Sequence, residues 1–208
     1  MDATNERVDE RTARRGRPRA FDRRAALQAA IMEFWDRGYE AVSIADLTRA
    51  MHIKAPSLYA AFGDKKTLFE EAVETYARDF GGFIVRALDE EPTARRGVAR
   101  MLHEAASWHT LPDHPRGCMV ITAATNCTPQ SADVLRGLQE RRNSAVARIE
   151  RMIRADIARG ELPADTDAHA LAVYSSTVLQ GMSQQARDGA DRATLETVAE
   201  IAMRAWPG

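Results

Sequence analysis

Apolar residues recur along this chain at intervals of three and four, and no stretch shows the strict alternation of a half-buried strand. Leu27, Ala30, Ile31, Phe34 and Trp35 fall on one face of a helix over about residues 22–38, with Asp22 at its N-cap and Gly38 as its stop. Tyr39 to Val42 reads as a turn. Ser43 then caps a short second helix with Ile44, Leu47, Ala50 and Met51 inward, interrupted by His52 and Ile53. A third helix starts near Ala55, with Pro56 in its first turn, where a missing N–H costs nothing. It runs through Leu58 and Tyr59 to Phe62 and stops at Gly63. Asp64 caps a fourth helix that the pattern carries to about Leu88.

Glu90–Thr93 is a break, and residues 93–109 read as a fifth helix. His109–Gly117 is a loop rich in proline and turn residues. Residues 118–127 read as a short apolar helix, and Thr128–Pro129 ends it. Residues 131–159 form a long amphipathic helix with Leu135, Leu138, Val146, Ile149, Met152, Ile153 and Ile157 inward. Gly160–Pro163 separates it from two last helices, 167–187 and 191–205. The second and third helices are too short to stand alone, so they must pack on the first and fourth. That arrangement is a helix-turn-helix with a supporting helix. The fold class is therefore all-α, divided into a basic arm (1–21), a helix-turn-helix unit (22–66) and a larger helical domain (67–208).

Composition narrows the function classes. The 208 residues are 45 % hydrophobic and 28 % charged, an ordinary globular balance, and the net charge of −1 favours no partner. The distribution says more. Residues 1–66 hold 13 Lys and Arg against 10 Asp and Glu, and the remainder 16 against 20. From Arg11 to Arg24 seven arginines, Arg11, Arg14, Arg15, Arg17, Arg19, Arg23 and Arg24, enclose one acid, Asp22, a nucleic-acid footprint on a neutral chain. Cys118 and Cys127 make no disulfide framework and suit a reducing cytosol. The opening residues lack the apolar run of a secretory signal, and no run approaches a membrane span, so a cytoplasmic protein with no membrane partner is expected. No phosphate-cradling glycine loop, HExxH, GxSxG or paired-carboxylate motif is present, so neither an enzyme nor a cofactor is expected. His103, His109, His114 and Cys118 lack close ligand spacing, and no metal is expected.

A helix-turn-helix sets the amino end of its second helix into the major groove of DNA. Base edges there take donors, acceptors and methyl contacts, while phosphates take cations, hydroxyls and helix N-termini. Lys54 suits a guanine edge or a phosphate, Ala55 and Pro56 suit thymine methyls, and Ser57 suits either base or phosphate. Tyr59 can put its hydroxyl on a phosphate. Ser43 heads the preceding helix, at another anion-binding position. Lys65 and Lys66 oppose the macrodipole of the fourth helix, and a DNA phosphate is the compensating anion expected there. Arg17 and Arg19, held extended by Gly16 and Pro18, suit a narrow minor groove.

The runs FWDRGYEAVSIADL (Phe34–Leu47), SLYAAF (Ser57–Phe62) and DKKTLF (Asp64–Phe69) resemble the DNA-binding domain of the TetR/AcrR family of bacterial transcriptional regulators. The resemblance extends from Arg17 to about Val73. It implies DNA contacts at Ser43, Lys54, Ala55, Ser57, Tyr59 and Lys65. The chain departs from the pattern at His52, where the tight turn usually carries glycine, and at Ala60 and Ala61, which replace larger polar residues.

For the larger domain the resemblance implies an apolar cavity whose small-molecule effector changes the spacing of two DNA-binding heads, and a homodimer built by the last two helices. Repression of a palindromic operator is the expected mode. His103, Trp108, Cys118, Asn126, Tyr174, Thr177 and Gln180 are the candidate polar pocket groups. Leu171, Val178, Met182, Leu195, Val198 and Ala202 are the candidate dimer residues. An alternative keeps the DNA binding but makes Cys118 an oxidant or electrophile sensor, its thiol acidified by Arg116 and a helix N-terminus.

Overall fold

The computed structural model describes residues 21–207. Residues 1–20 of the basic arm, with Arg17 and Arg19, lie outside the described residues. Ten α-helices and one short 3₁₀ turn make up the described chain, with no strand among these residues. In order they are α1 (Arg23–Ala41), α2 (Ile44–Ala50), α3 (Ala55–Phe62), α4 (Lys65–Asp79), α5 (Gly82–Glu90), α6 (Ala94–Trp108), α7 (Met119–Thr122), the 3₁₀ turn (Pro129–Ser131), α8 (Ala132–Arg159), α9 (Ala168–Arg187) and α10 (Arg192–Arg204).

Short polar side chains start these helices as local chemistry requires. Asp22, Ser43, Asp64, Thr93, Asp167 and Asp191 each accept a hydrogen bond from the first turn of the helix they head. Ser43 and Asp46 form a reciprocal capping box at α2. Gly38 takes φ 81° and ψ 169°, which stops the regular part of α1 where the sequence places its end. His52 takes φ 54° in the turn between α2 and α3, the left-handed value that the glycine of the family pattern would hold without strain.

Two expectations are corrected. The fourth helix does not run to Leu88: Phe80 and Gly81 break it, and their N–H groups both donate to the Tyr76 carbonyl at 2.9 Å. Two consecutive glycines, Gly81 and Gly82, weaken any helix there. The break also lets Tyr76 and Phe83 serve different cores. The segment 118–127 is not one helix either. After the four residues of α7 the chain turns, because the Ala123 carbonyl accepts the Tyr39 N–H at 2.7 Å instead of continuing a helical ladder.

Two hydrophobic cores result. The first joins α1–α4 to α7 and the amino end of α8, around Phe34, Trp35, Leu58, Leu68, Phe69 and Tyr76. The second lies among α5, α6, α8, α9 and α10, around Met101, Leu102, Ile149, Ile153, Met182 and Leu195. A polar seam ties them together. Trp35 Nε1 donates to the Gly117 carbonyl at 3.2 Å, and Arg187, on α9, donates to the Trp35 and Asp36 carbonyls at 3.2 and 2.8 Å. The Cys118 N–H donates to Ser183 Oγ at 2.8 Å, and Arg116 donates to the Ala186 and Ala190 carbonyls at 3.2 Å each. Gly117, at φ 78°, passes so close to α9 that a Cβ there would stand 2.7 Å from the Ser183 carbonyl oxygen.

Candidate functional site

Two places in this fold offer chemistry to a partner. One is the exposed surface of α2 and α3, and the other is a cavity where the two cores meet.

Leu58 and Phe62 hold α3 on the first core, which turns its remaining residues outward. Lys54, Pro56, Ser57, Tyr59 and Ala60 are exposed, and Ala55 is half-buried. Lys54 is the N-cap of α3 and makes no side-chain cap; its carbonyl accepts the Ser57 and Leu58 N–H groups at 2.9 and 3.1 Å, and its exposed side chain heads the helix. Ser43 is exposed, but its hydroxyl is engaged: it donates to Asp46 Oδ2 at 2.6 Å while accepting the Asp46 N–H at 3.1 Å. Hydrogen bonds from Ser43, joined by Arg37 and Arg49, hold the Asp46 carboxyl well below the usual carboxylate range. Arg23 is committed to Glu71 through two 2.6 Å hydrogen bonds and lies over the Phe62 ring.

The two lysines of α4 differ from expectation. Lys65 sets its ammonium 4.3 Å from the centre of the Tyr39 ring, and burial lowers its pKa. Lys66 pairs with Asp133 and, at 3.8 Å, with Glu70. The unfavourable position at the helix start is thus answered inside the chain, by a ring and two carboxylates. The surface therefore brings Lys54, Ala55, Ser57 and Tyr59 together on α3, with Ser43 at the head of α2 and Lys65 turned inward.

The cavity measures about 620 Å³ and is walled by α4, α5, the Cys118–Ile121 segment, α8 and α9. Tyr76, Ile84, Leu88, Val120, Ile121 and Leu179 supply most of its apolar lining, and Glu140, Arg141, Arg142, Ser144, Arg148, Ser176 and Gln180 its polar groups. Of the seven pocket candidates, Cys118 and Gln180 line it. His103 and Asn126 are exposed, and Trp108 is stacked on Phe83 with ring centres 6.1 Å apart. Tyr174 donates its hydroxyl to the Ala202 carbonyl at 3.1 Å, and Thr177 donates to the Val173 carbonyl at 2.8 Å. The residues missed left one usable signal. Arg142 falls four residues after Leu138 and seven before Ile149, on the apolar stripe of α8 where a charge is out of place.

The premise of the cysteine-sensor alternative is corrected. Burial pushes the Cys118 thiol up rather than down. The Arg116 guanidinium is spent on carbonyls at the end of α9, and α7 has too few turns to supply a helix-terminus field. His109 and His114 are buried with Nδ1 and Nε2, respectively, lacking a hydrogen-bond partner, and burial drops the His109 pKa to about 4. No group of three or more metal-ligating side chains occurs among the described residues.

The dimer candidates divide. Met182, Leu195 and Ala202 are buried within the chain, at 1, 0 and 4 % exposure, and so have no surface left for a second copy. Leu171 and Val178 are half-buried, and Val198 is exposed. Val173, Tyr174 and Ile201 are also exposed on these two helices. No helix is long and apolar enough to cross a membrane among the described residues.

Comparison with known proteins places this geometry. The N-terminal domain described as bacterial regulatory proteins, tetR family, matches residues 26–72, and a tetracyclin repressor-like C-terminal domain matches residues 94–202. The chain is 37 % identical over 194 residues to the HTH-type transcriptional repressor ComR of Escherichia coli K12, covering 93 % of this chain and 92 % of that protein. It is 30 % identical over 174 residues to the repressor BdcR of the same organism, covering 84 and 83 %. Among solved structures, a cysteine-substituted TetR family regulator CifR, complexed with 26-bp double-strand operator DNA, superimposes with a TM-score of 0.87 at 47 % identity, covering 92 % of this chain and all of that one.

Proposed function

This chain belongs to the TetR family of bacterial regulatory proteins, and we propose that it is a homodimeric transcriptional repressor released from a palindromic operator by a small molecule. The observation that carries the DNA reading is the exposed amino end of α3. There Lys54 and Ser57 stand exposed together on a helix pinned by Leu58 and Phe62. Lys54 and Ser57 read or neutralise, Ala55 and Pro56 meet thymine methyls, and Tyr59 reaches a phosphate. Ser43 and Lys65 act at the edges of this surface. Arg17 and Arg19 reach into a minor groove. Operator binding by the related CifR supports the same assignment.

The dimer is assigned to α9 and α10 through Val173, Tyr174, Val198 and Ile201, with Leu171 and Val178 behind them. Exposed apolar residues clustered on two neighbouring helices favour a partner face. Two-fold symmetry then requires a near-palindromic site. The effector site is assigned to the cavity. Its lining draws Tyr76 and Cys118 from the first core and Leu88 and Leu179 from the second, so an occupant acts on the packing between head and body.

The test is a titration of the purified full chain against genomic DNA fragments at two salt concentrations, with sequencing of what stays bound. Enrichment of one palindrome, weakened by salt, is expected. Folded protein that enriches no sequence would remove the repressor reading.

A further inference from the structure

Arg142 is the one cation of the cavity lining left without a carboxylate. Arg141 faces Glu74 at 3.9 Å, and Arg148 pairs with Asp89. Arg142 makes one hydrogen bond, from Nη1 to the Val120 carbonyl at 2.7 Å, and no ion pair among the described residues. Burial lowers its pKa, and the buried Cys118 thiol acts against that shift. It stands on the inward stripe of α8, between Leu138 and Ile149, which are 2 and 1 % exposed. A half-buried guanidinium with most of its five N–H donors unspent is costly to keep in an apolar wall. Its planar fork matches a carboxylate, and Ile84, Val120, Ile121 and Leu179 in the same cavity suit a hydrocarbon body, beside the polar Glu140, Ser176 and Gln180.

We propose that the cavity takes an amphipathic anion, a molecule with an apolar body and a single carboxylate, and that Arg142 holds the carboxylate. This rests on the cavity being the effector site and narrows the effector from a merely apolar molecule to an apolar acid. The Val120 carbonyl fixes one side of the guanidinium and leaves the opposite edge for the ligand. The same bond gives the ligand a lever, because Val120 lies on α7, three residues before the Ala123 carbonyl that holds Tyr39 at the end of α1.

The experiment uses the full chain and two probes of equal length, octanoate and octanamide, titrated calorimetrically and by shift in melting temperature. Octanoate is expected to bind about ten- to a hundredfold more tightly than the amide, the range of a charge-assisted hydrogen bond. Arg142→Gln should erase that preference while leaving the amide affinity within about threefold, and Arg142→Lys should keep part of it. If Arg142→Gln does not fold, the acid-to-amide ratio in the parent and in Arg142→Lys decides. Equal binding of acid and amide would overturn the anion assignment and leave the cavity reading standing. No binding of either probe would overturn both. A preference for the acid that survives undiminished in both variants would place the anion elsewhere and overturn the role of Arg142.

Discussion

The two cores of this molecule are built from different residues. The first buries Phe34, Trp35, Tyr39, Phe62, Phe69 and Tyr76, six aromatic side chains against five alanines. Their rings lock edge to face: Phe34 on Phe69 at 5.0 Å, Trp35 on Tyr76 at 4.7 Å. The second buries only Phe83 and Trp206 of that class, but nine alanines, from Ala87 to Ala202. Large rings interlock and hold one geometry. Alanines let helices approach closely but lock little, and a family of slightly different spacings costs less. On the proposed function the difference matches two tasks: a DNA head has to keep α3 at a fixed angle, and a body that takes an effector has to yield around a cavity. The cavity lies between the two, with Tyr76 on one wall and Leu179 on another.

The contrast can be broken most forcefully from the first core. Phe34→Ala should cost about 3–5 kcal/mol, because a fully buried ring leaves a void that its ring neighbours cannot fill. Chemical denaturation would measure it, and the loss should exceed that of any Ala→Gly change in the second core. Next in size is the seam. Gly117→Ala forces a Cβ to within 2.7 Å of the Ser183 carbonyl and an L-residue into φ 78°. A loss of about 2 kcal/mol or more is expected, and α9 should lose its hold on α1, read as faster amide exchange at both ends. Lys54→Ala leaves both cores alone, so melting should be unchanged while specific operator affinity falls by about 1–3 kcal/mol.

An effect confined to acid pH follows from His109, the C-cap of α6, whose ring meets Phe83. Its folded pKa of about 4 lies below the usual value of 6.5. Below pH 6.5 an unfolded chain takes up a proton that the folded chain refuses. Stability should therefore be unaffected above that pH and fall by up to about 1.4 kcal/mol per pH unit on acidification. The fall continues until pH approaches the folded pKa. Melting curves of His109→Gln should have a shallower acid slope than those of the parent. Last, Ser43→Ala should cost about 1 kcal/mol by opening the capping box, with α2 fraying first.

Much of the head was legible because its signals are local. Caps, the stops at Gly38 and Gly63, Pro56 in the first turn of α3 and the left-handed His52 all act within a few residues. The outward residues of α3 then follow from helical period alone. The body was less legible. A stripe of apolar residues on α9 and α10 tells that two faces are buried, not by what, and Met182, Leu195 and Ala202 turn out to meet their own chain. Lys65 looked free because the ring that receives it is 26 residues earlier in sequence, at Tyr39.

The sequence by itself determined α1 to α3 and the start of α4, the helix-turn-helix they form and the chemistry presented by α3, since these depend on dihedral preferences and hydrogen bonds between near neighbours. Only the tertiary structure decided where the cavity lies, that Cys118 is buried rather than activated, and that Arg142 faces the cavity without a carboxylate. Each of those depends on which distant segments come to share a wall. Local preferences carry no information about a neighbour a hundred residues away, whereas burial and charge pairing depend on little else.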